Sequence, residues 1–318
     1  MNRSANSTTR RDFGRTALAA AAVGALPALA SAAVKSRRIG IVDDYLDNYH
    51  SRTYLKILRE QLKDRGFEVT GAYALQAEKG RQWCQEYGVT WYDSVAELNE
   101  VVDFFAVLAP GTPQVHLELC QQVFPFSKPT FVDKTFAPDA ETAERIFALA
   151  DEHDVVIETS SALRYTPVQE FVKSVGRDKI RHVVTWGPGG SFDEYAIHPL
   201  EMAISCLGHE VEGVMRRGDD RFSQLLLNCS GGRTAVVHVY VGSRTPYAAM
   251  VSTSEETRYI NGQDGQLFVN AAAAILDFFD AGQSRIDRRE TMAIMRILDA
   301  ARDARSREGF VGLVIAEK

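Results

Sequence analysis

The chain has 318 residues, of which 45% are hydrophobic and 25% are charged, enough for two domains that each bury an apolar core. The formal net charge is −6 and no basic patch with interleaved aromatic residues occurs, so nucleic acid is excluded as an expected partner. The sequence contains no run of about 18 consecutive apolar residues, so we do not expect a permanent membrane span.

The first 32 residues have the organisation of an export signal. Arg10 and Arg11 precede an alanine-rich apolar stretch, which ends in the small-residue sequence Ala30-Ser31-Ala32. A short apolar stretch followed by small residues is typical of a cleaved signal peptide, and the arginine pair indicates the twin-arginine route. We therefore expect the twin-arginine translocase to export the protein to the periplasm, with cleavage near Ala32. The alternative is an amphipathic first helix of the fold.

Residues 33–159 alternate predicted strands with predicted helices, as parallel βαβ units require. The strands are predicted at 37–42, 67–73, 101–108, 130–132 and 155–157, and the helices at 51–64, 77–87, 95–100, 115–123 and 140–152. The segment 101–108 is apolar enough for a strand buried on both faces. This pattern predicts an α/β domain with a Rossmann-type parallel sheet.

The second half, residues 160–318, has a different pattern. After a helix at 166–175, strands are predicted at 180–186, 211–216, 222–229, 234–241 and 248–252, and helices at 267–280 and 288–305. Consecutive strands joined by glycine-rich turns predict an α+β domain with an open, mainly antiparallel sheet. Val237 and Val239 alternate with His238 and Tyr240, so we expect one apolar sheet face, covered by homo-oligomerisation.

Three segments carry a recognisable pattern: Val-Asp-Lys-Thr-Phe-Ala at 132–137, Ala-Leu-Arg-Tyr-Thr-Pro at 162–167 and Asp-Glu-Tyr-Ala-Ile-His-Pro at 193–199. They resemble, in this order, the Glu-Lys-Pro junction, the Arg-Tyr-x-Pro turn and the Asp-x-x-x-His segment of the glucose–fructose oxidoreductase/inositol dehydrogenase (Gfo/Idh/MocA) family. The resemblance implies an oxidoreductase that acts on a small-molecule carbohydrate or polyol with NAD or NADP as its cofactor.

The same resemblance implies roles for individual residues. Lys134 would be the active-site lysine, His198 the catalytic acid/base, and Glu194 the carboxylate that orients the imidazole. A histidine can accept a hydroxyl proton near neutral pH, and an ammonium group can stabilise the alkoxide that develops. Substrate contacts are implied for Arg164, Tyr165 and Asp193.

The expected phosphate-binding turn departs from the family. The family has Gly-x-Gly-x-x-Gly after the first strand, because glycines let the backbone approach a pyrophosphate. In this chain the six positions are occupied by Asp43, Asp44, Tyr45, Leu46, Asp47 and Asn48. A carboxylate pointing inward would oppose a phosphate charge by roughly 3 kcal/mol, which excludes the usual dinucleotide pose. Thr112 and Pro113 resemble the family's Thr-Pro turn beside the cofactor.

The acidic turn allows three interpretations. Asp44 and Asp47, with His50, could hold a divalent cation. The turn could instead be a solvated loop whose last residues cap the next helix, or it could bind a sugar through the rings of Tyr45 or Tyr49. Two further functions therefore stay open: a non-redox acid/base enzyme (a lyase or isomerase, with or without a metal ion) acting on an oxidised sugar, and a non-catalytic sugar-binding or scaffold protein.

Overall fold

The computed structural model describes residues 37–313, so the predicted export signal at residues 1–32 lies outside the described residues. The first half of the described chain forms a five-stranded sheet in the order β2-β1-β3-β4-β5, and every neighbouring pair is parallel. Its strands are β1 (Arg37–Asp43), β2 (Phe67–Ala74), β3 (Phe104–Val107), β4 (Thr130–Val132) and β5 (Ile157–Glu158). The predicted Rossmann-type domain is confirmed.

Five helices connect these strands. They are α1 (Tyr49–Arg59), α2 (Ala77–Tyr87), α3 (Val95–Asn99), α4 (His116–Val123) and α5 (Ala140–Glu152). Side-chain caps set several of their first residues: Asn48 accepts a hydrogen bond from the amide of Ser51, and Asp139 caps α5 in the same way. Phe105 and Phe131 are almost fully buried, because apolar helix faces cover both sides of the sheet.

The second half forms a seven-stranded sheet in the order β11-β10-β6-β9-β8-β7-β12. Its strands are β6 (His182–Gly189), β7 (Val211–Gly218), β8 (Phe222–Cys229), β9 (Arg233–Val241), β10 (Ala248–Ser252), β11 (Thr257–Asn261) and β12 (Val311–Gly312). The β6–β9 pair is parallel and the other pairs are antiparallel, which confirms the predicted, mainly antiparallel sheet.

The helices of the second half pack on both sheets. They are α6 (Pro167–Val175), α7 (Phe192–Tyr195), α8 (Ile197–Leu207), α9 (Leu267–Ala281), α10 (Arg288–Arg302) and α11 (Arg305–Glu308). Helix α8 lies in the core beneath the second sheet. Helix α9 instead returns to the first domain, where Ile275 and Phe279 share a core with Ile39 and Leu58. The chain segment after residue 160 therefore also completes the first domain.

The uncovered face of the second sheet differs from the predicted one. Val237 and Val239 are fully buried in the core that contains α8. The opposite face carries aromatic side chains, including Trp186, which stacks on His238 with ring centroids 5.5 Å apart. Tyr259, on the edge strand β11, is 59% exposed. Among residues 37–313, no helix has both the length and the apolarity to cross a membrane.

Candidate active site

The candidate site lies at the carboxyl edge of the first sheet. Strand order reverses between β1 and β3, and ligands of parallel α/β sheets bind in the crevice outside that edge. Four ionisable side chains come from three elements around it: His50 from α1, Asp133 and Lys134 from the segment after β4, and His198 from α8.

Lys134 is held over the end of β3. Its side chain is buried, and Nζ donates a hydrogen bond to the carbonyl oxygen of Pro110 at 3.2 Å. Its backbone amide donates to Oδ1 of Asp133 at 2.8 Å. The ammonium group is thus positioned by the loops that follow β3 and β4.

His198 lies close enough to Lys134 to be affected by its charge. Burial, followed by the positive charge of Lys134, holds the pKa of His198 well below its ordinary value. The imidazole is therefore neutral at physiological pH. Its Nδ1 lies 2.8 Å from Oγ of Ser161, in the segment that links the two sheets.

Glu194 does not take its predicted place beside His198. Helix α7 ends at Tyr195 and α8 begins at Ile197, so the two residues do not share one continuous helix. Glu194 is exposed, and the hydroxyl of Ser161 occupies Nδ1 of the imidazole instead. The predicted carboxylate–imidazole pair is therefore wrong.

The residues implied as substrate contacts have protein partners. Buried Arg164 donates to Glu201 at 2.8 Å and to Glu290 at 2.6 Å, which joins α8 to α10. Asp193 is exposed and pairs with Arg302 at 2.9 Å. Arg164 is thus held by buried ion pairs, the ion pair of Asp193 lies at the surface, and the substrate contacts of both residues stay predictions.

Tyr165 also has a partner inside the protein. Its hydroxyl lies 3.2 Å from Oγ of Ser160, and burial raises the pKa of the phenol. Its carbonyl oxygen accepts a hydrogen bond from Nδ2 of Asn270, at 3.2 Å. These contacts fix the turn that leads into the second domain.

Asp43 organises the acidic turn from within. Its fully buried carboxylate accepts hydrogen bonds from the amides of Asp44 (2.7 Å) and Tyr45 (3.3 Å). Nδ2 of Asn48 and Oγ of Ser51 donate to its second oxygen at 2.8 and 3.0 Å. Burial raises the pKa of Asp43 despite these donors. The carboxylate thus occupies the turn amides that would otherwise face an anion.

The other acids of the turn point in different directions. Asp44 accepts a hydrogen bond from Gln76 at 3.0 Å, and exposed Asp47 forms an ion pair with Arg52. Among residues 37–313, no group of three or more His, Cys, Asp or Glu side chains converges as a metal site would require. The metal interpretation of Asp44, Asp47 and His50 is therefore not supported. Asn48 does cap α1, as the solvated-loop interpretation expected.

The turn does not fit a dinucleotide in the pose that glycines allow. Asp43, Tyr45 and Asn48 bring side chains to the three glycine positions. Oη of Tyr45 lies 4.0 Å from the place that a Cβ of Gly111 would take, so the ring spans the crevice between the loops after β1 and β3. Lys79 lies over the same ring, 5.5 Å from its centroid.

The predicted Thr-Pro turn lies beside this crevice. Thr112 follows Gly111 in the loop after β3, and Pro113 begins a short 3-10 helix. Oγ1 of Thr112 is buried and has no hydrogen-bond partner among the described residues. The hydroxyl thus keeps hydrogen-bonding capacity that the described residues do not use.

One contact of the site was not predicted. Nδ1 of His50 lies 2.5 Å from Oδ2 of Asp133, and both side chains are almost fully buried. The sequence singled out His50 as a metal ligand and Asp133 only as part of a motif. His50 follows the carboxyl end of β1 and Asp133 that of β4, and these two parallel strands are the neighbours of β3. Their shared position at one edge of the sheet is the signal that could have predicted the contact.

Comparisons with known proteins agree with this architecture. Residues 48–160 match the model of the Gfo/Idh/MocA group, described as an oxidoreductase family with an NAD-binding Rossmann fold. A Salmonella typhimurium protein described as an oxidoreductase, YceM, is 24% identical over 141 residues, so the match spans 44% of each chain. These comparisons support the Gfo/Idh/MocA family and an oxidoreductase.

Solved structures show the same fold over most of the chain. The myo-inositol 2-dehydrogenase of Lactobacillus plantarum is 14% identical, with a TM-score of 0.73 over 88% of this chain and 100% of that one. GenD2 from gentamicin A biosynthesis, in complex with NAD, is 14% identical, with a TM-score of 0.72 over 87% and 97% of the two chains. At these identities the two structures show the shared fold.

Proposed function

We propose that this protein is an oxidoreductase that acts on a carbohydrate or polyol, with Lys134 and His198 as its catalytic groups. The observation that carries the proposal is that both side chains are held at the carboxyl edge of the first sheet: Nζ of Lys134 donates to Pro110 after β3, and Nδ1 of His198 lies at Ser161 after β5. A neutral imidazole can accept the proton of a substrate hydroxyl, and the ammonium then stabilises the alkoxide.

Aromatic residues beside the crevice support a sugar-like substrate. Tyr49 is 58% exposed and lies edge-to-face with Phe268, with ring centroids 5.2 Å apart. Aromatic rings favour the apolar faces of sugar and cyclitol rings. The named inositol dehydrogenase among the structural neighbours agrees with this substrate class.

Oxidation also requires a hydride acceptor, and the fold points to NAD or NADP. Because Tyr45 and Asp43 occupy the phosphate turn, such a cofactor would have to lie away from residues 43–48. The first test is to denature protein purified from its native compartment and to look for released nicotinamide. The second is to follow reduction of NAD and NADP at 340 nm with myo-inositol, scyllo-inositol and glucose. If denaturation releases no nicotinamide and neither NAD nor NADP is reduced, the redox proposal is rejected.

The occupied turn favours a second candidate, an acid/base enzyme without redox chemistry. Lys134 and His198 could move a proton on an oxidised sugar in an elimination or isomerisation. Mass spectrometry of the products separates the candidates, because oxidation removes two hydrogens, elimination removes water and isomerisation leaves the mass unchanged. Absence of any sugar product, together with unchanged sugar affinity in a His198→Ala variant, would instead favour a scaffold protein.

We further propose that the protein is exported to the periplasm through its twin-arginine signal. The paired Arg10 and Arg11 and the cleavage sequence ending at Ala32 support this route. Replacing both arginines by lysine should leave full-length protein in the cytoplasm. Unchanged periplasmic protein in that variant would reject the route.

We also propose that the protein forms homo-oligomers through the exposed aromatic face of the second sheet. Phe222 and Tyr259 are 43% and 59% exposed, and large exposed apolar side chains often mark interfaces. Light scattering at micromolar concentration should give a multiple of the chain mass. A monomer under those conditions would reject the proposal.

A further inference from the structure

We propose that His50, oriented by Asp133, is the terminal proton acceptor of this site. The proposal rests on the proposed function and adds to it a group that no comparison assigns. The proton that leaves the substrate hydroxyl ends on Nε2 of His50, while Asp133 keeps its hydrogen bond to Nδ1–H. The step transfers only a proton, from the substrate hydroxyl to the imidazole of His50, and it belongs to the oxidation of a hydroxyl group.

The first argument is the geometry of the pair. Nδ1 of His50 and Oδ2 of Asp133 are 2.5 Å apart and therefore in direct hydrogen-bond contact, and a carboxylate acceptor makes such a contact stronger than one between neutral groups. Such a bond fixes the proton on Nδ1, leaves the lone pair on Nε2 and stabilises the imidazolium that forms when Nε2 accepts a proton. The other oxygen of Asp133 accepts from the amide of Lys134, so the carboxylate cannot turn away.

The second argument is where the ring lies. The His50 side chain is only 11% exposed and packs edge-on against Tyr54 and Phe268, with centroids 5.7 and 5.4 Å away. Among the described residues, Nε2 has no hydrogen-bond partner, although the remaining capacity of a buried imidazole is usually satisfied. The ring is therefore held rigidly, with one nitrogen available to the crevice.

The third argument is the contrast with His198. Burial and the positive charge of Lys134 keep His198 neutral, and its Nδ1 contacts the uncharged hydroxyl of Ser161. A proton taken up by His198 is thus destabilised by its neighbours. The carboxylate that can stabilise an imidazolium faces His50 instead, since Glu194 is exposed.

Turnover of three variants tests the proposal. With the polyol that gives the fastest reduction of NAD or NADP, His50→Gln should lower kcat about 100-fold and change KM less than about threefold. Asp133→Asn keeps the shape of the side chain and should lower kcat about 10-fold. His182→Gln is the matched control, because this histidine on β6 bonds to Thr234 away from the crevice. A His50→Gln enzyme with normal kcat overturns the proposal.

A second measurement does not depend on turnover. Diethyl pyrocarbonate acylates an accessible, unprotonated imidazole nitrogen, and mass spectrometry locates the adduct. His50 should be acylated in the native protein, and more slowly in Asp133→Asn. Buried His116 should not react, because both of its nitrogens contact backbone carbonyls. An unmodified His50 overturns the proposal, whereas a modified His50 in a protein that oxidises no polyol rejects the redox function alone.

Discussion

Oγ of Ser161 lies 2.8 Å from Nδ1 of His198, in the position that the sequence assigned to the carboxylate of Glu194. The amide of Ser161 in turn donates to Oε2 of Glu201 at 2.7 Å, and Glu201 lies on the same helix as His198. A hydroxyl can pair with either tautomer of an imidazole but adds no charge. This contact therefore orients His198 without favouring its protonated form.

Replacing Ser161 by alanine should impair turnover more than it impairs folding. Loss of one hydrogen bond should lower the free energy of unfolding by about 1 kcal/mol, measured in urea. Because the imidazole of His198 is then no longer oriented, kcat should fall about 10-fold. Glu194→Gln is the control, and its kcat should stay within about threefold of the native value. A large loss of kcat in Glu194→Gln would instead support the pairing of Glu194 with His198 that the sequence predicted.

The lowered pKa of His198 makes folding stability depend on pH. Below its ordinary value of 6.5, the unfolded chain binds a proton that the folded protein does not, so stability falls as the pH falls. Between pH 6.5 and 5.5 the native protein should lose about 1 kcal/mol more unfolding free energy than His198→Gln. His153→Gln, at the end of α5, should follow the native protein. Parallel pH curves for native protein and His198→Gln would contradict the prediction.

The sequence predicted the fold wherever apolar periodicity and caps agreed. Helix α5 has its predicted bounds because Asp139 caps it and its apolar residues recur at helical spacing. Strand β11 was missed because its side chains are mostly exposed and polar. The bounds of helix α8 were not predicted, because a helix that is buried all round shows no amphipathic period. The return of α9 to the first sheet depends on tertiary packing that no local pattern encodes.

The site was predicted only in part, for a similar reason. The sequence motifs brought Lys134 and His198 into one crevice, but each partner depends on long-range geometry. Asp133 and His50 are separated by 83 residues, and the pairing of Ser161 with His198 spans 37. The directions of the carboxylates in the 43–48 turn could not be predicted, because Asp43 turns inward to amides of its own turn, whereas Asp44 and Asp47 bind the side chains of Gln76 and Arg52.

The buried ion pairs of Arg164 should be worth far more than an exposed pair. Arg164→Met leaves Glu201 buried without its cation, whereas Glu290 keeps its ion pair with Arg177, and the change should cost about 3–5 kcal/mol of unfolding free energy. Arg302→Met, which breaks the surface pairs with Asp193 and Asp299, should cost about 1 kcal/mol or less. Urea unfolding at neutral pH measures both. Equal losses would mean that Arg164 is not the link between α8 and α10.

The last prediction concerns Tyr45, whose ring spans the crevice towards Gly111. Tyr45→Gly removes that obstruction and restores one glycine of the family's turn, so ADP-ribose should bind at least about 10-fold more tightly in calorimetry. Asp43 still holds the turn amides, which limits the gain. Tyr49→Ala removes an exposed ring nearby and should leave the affinity unchanged. If the native protein already binds ADP-ribose at micromolar concentration and Tyr45→Gly does not improve it, Tyr45 moves aside at no cost and the usual dinucleotide pose is open.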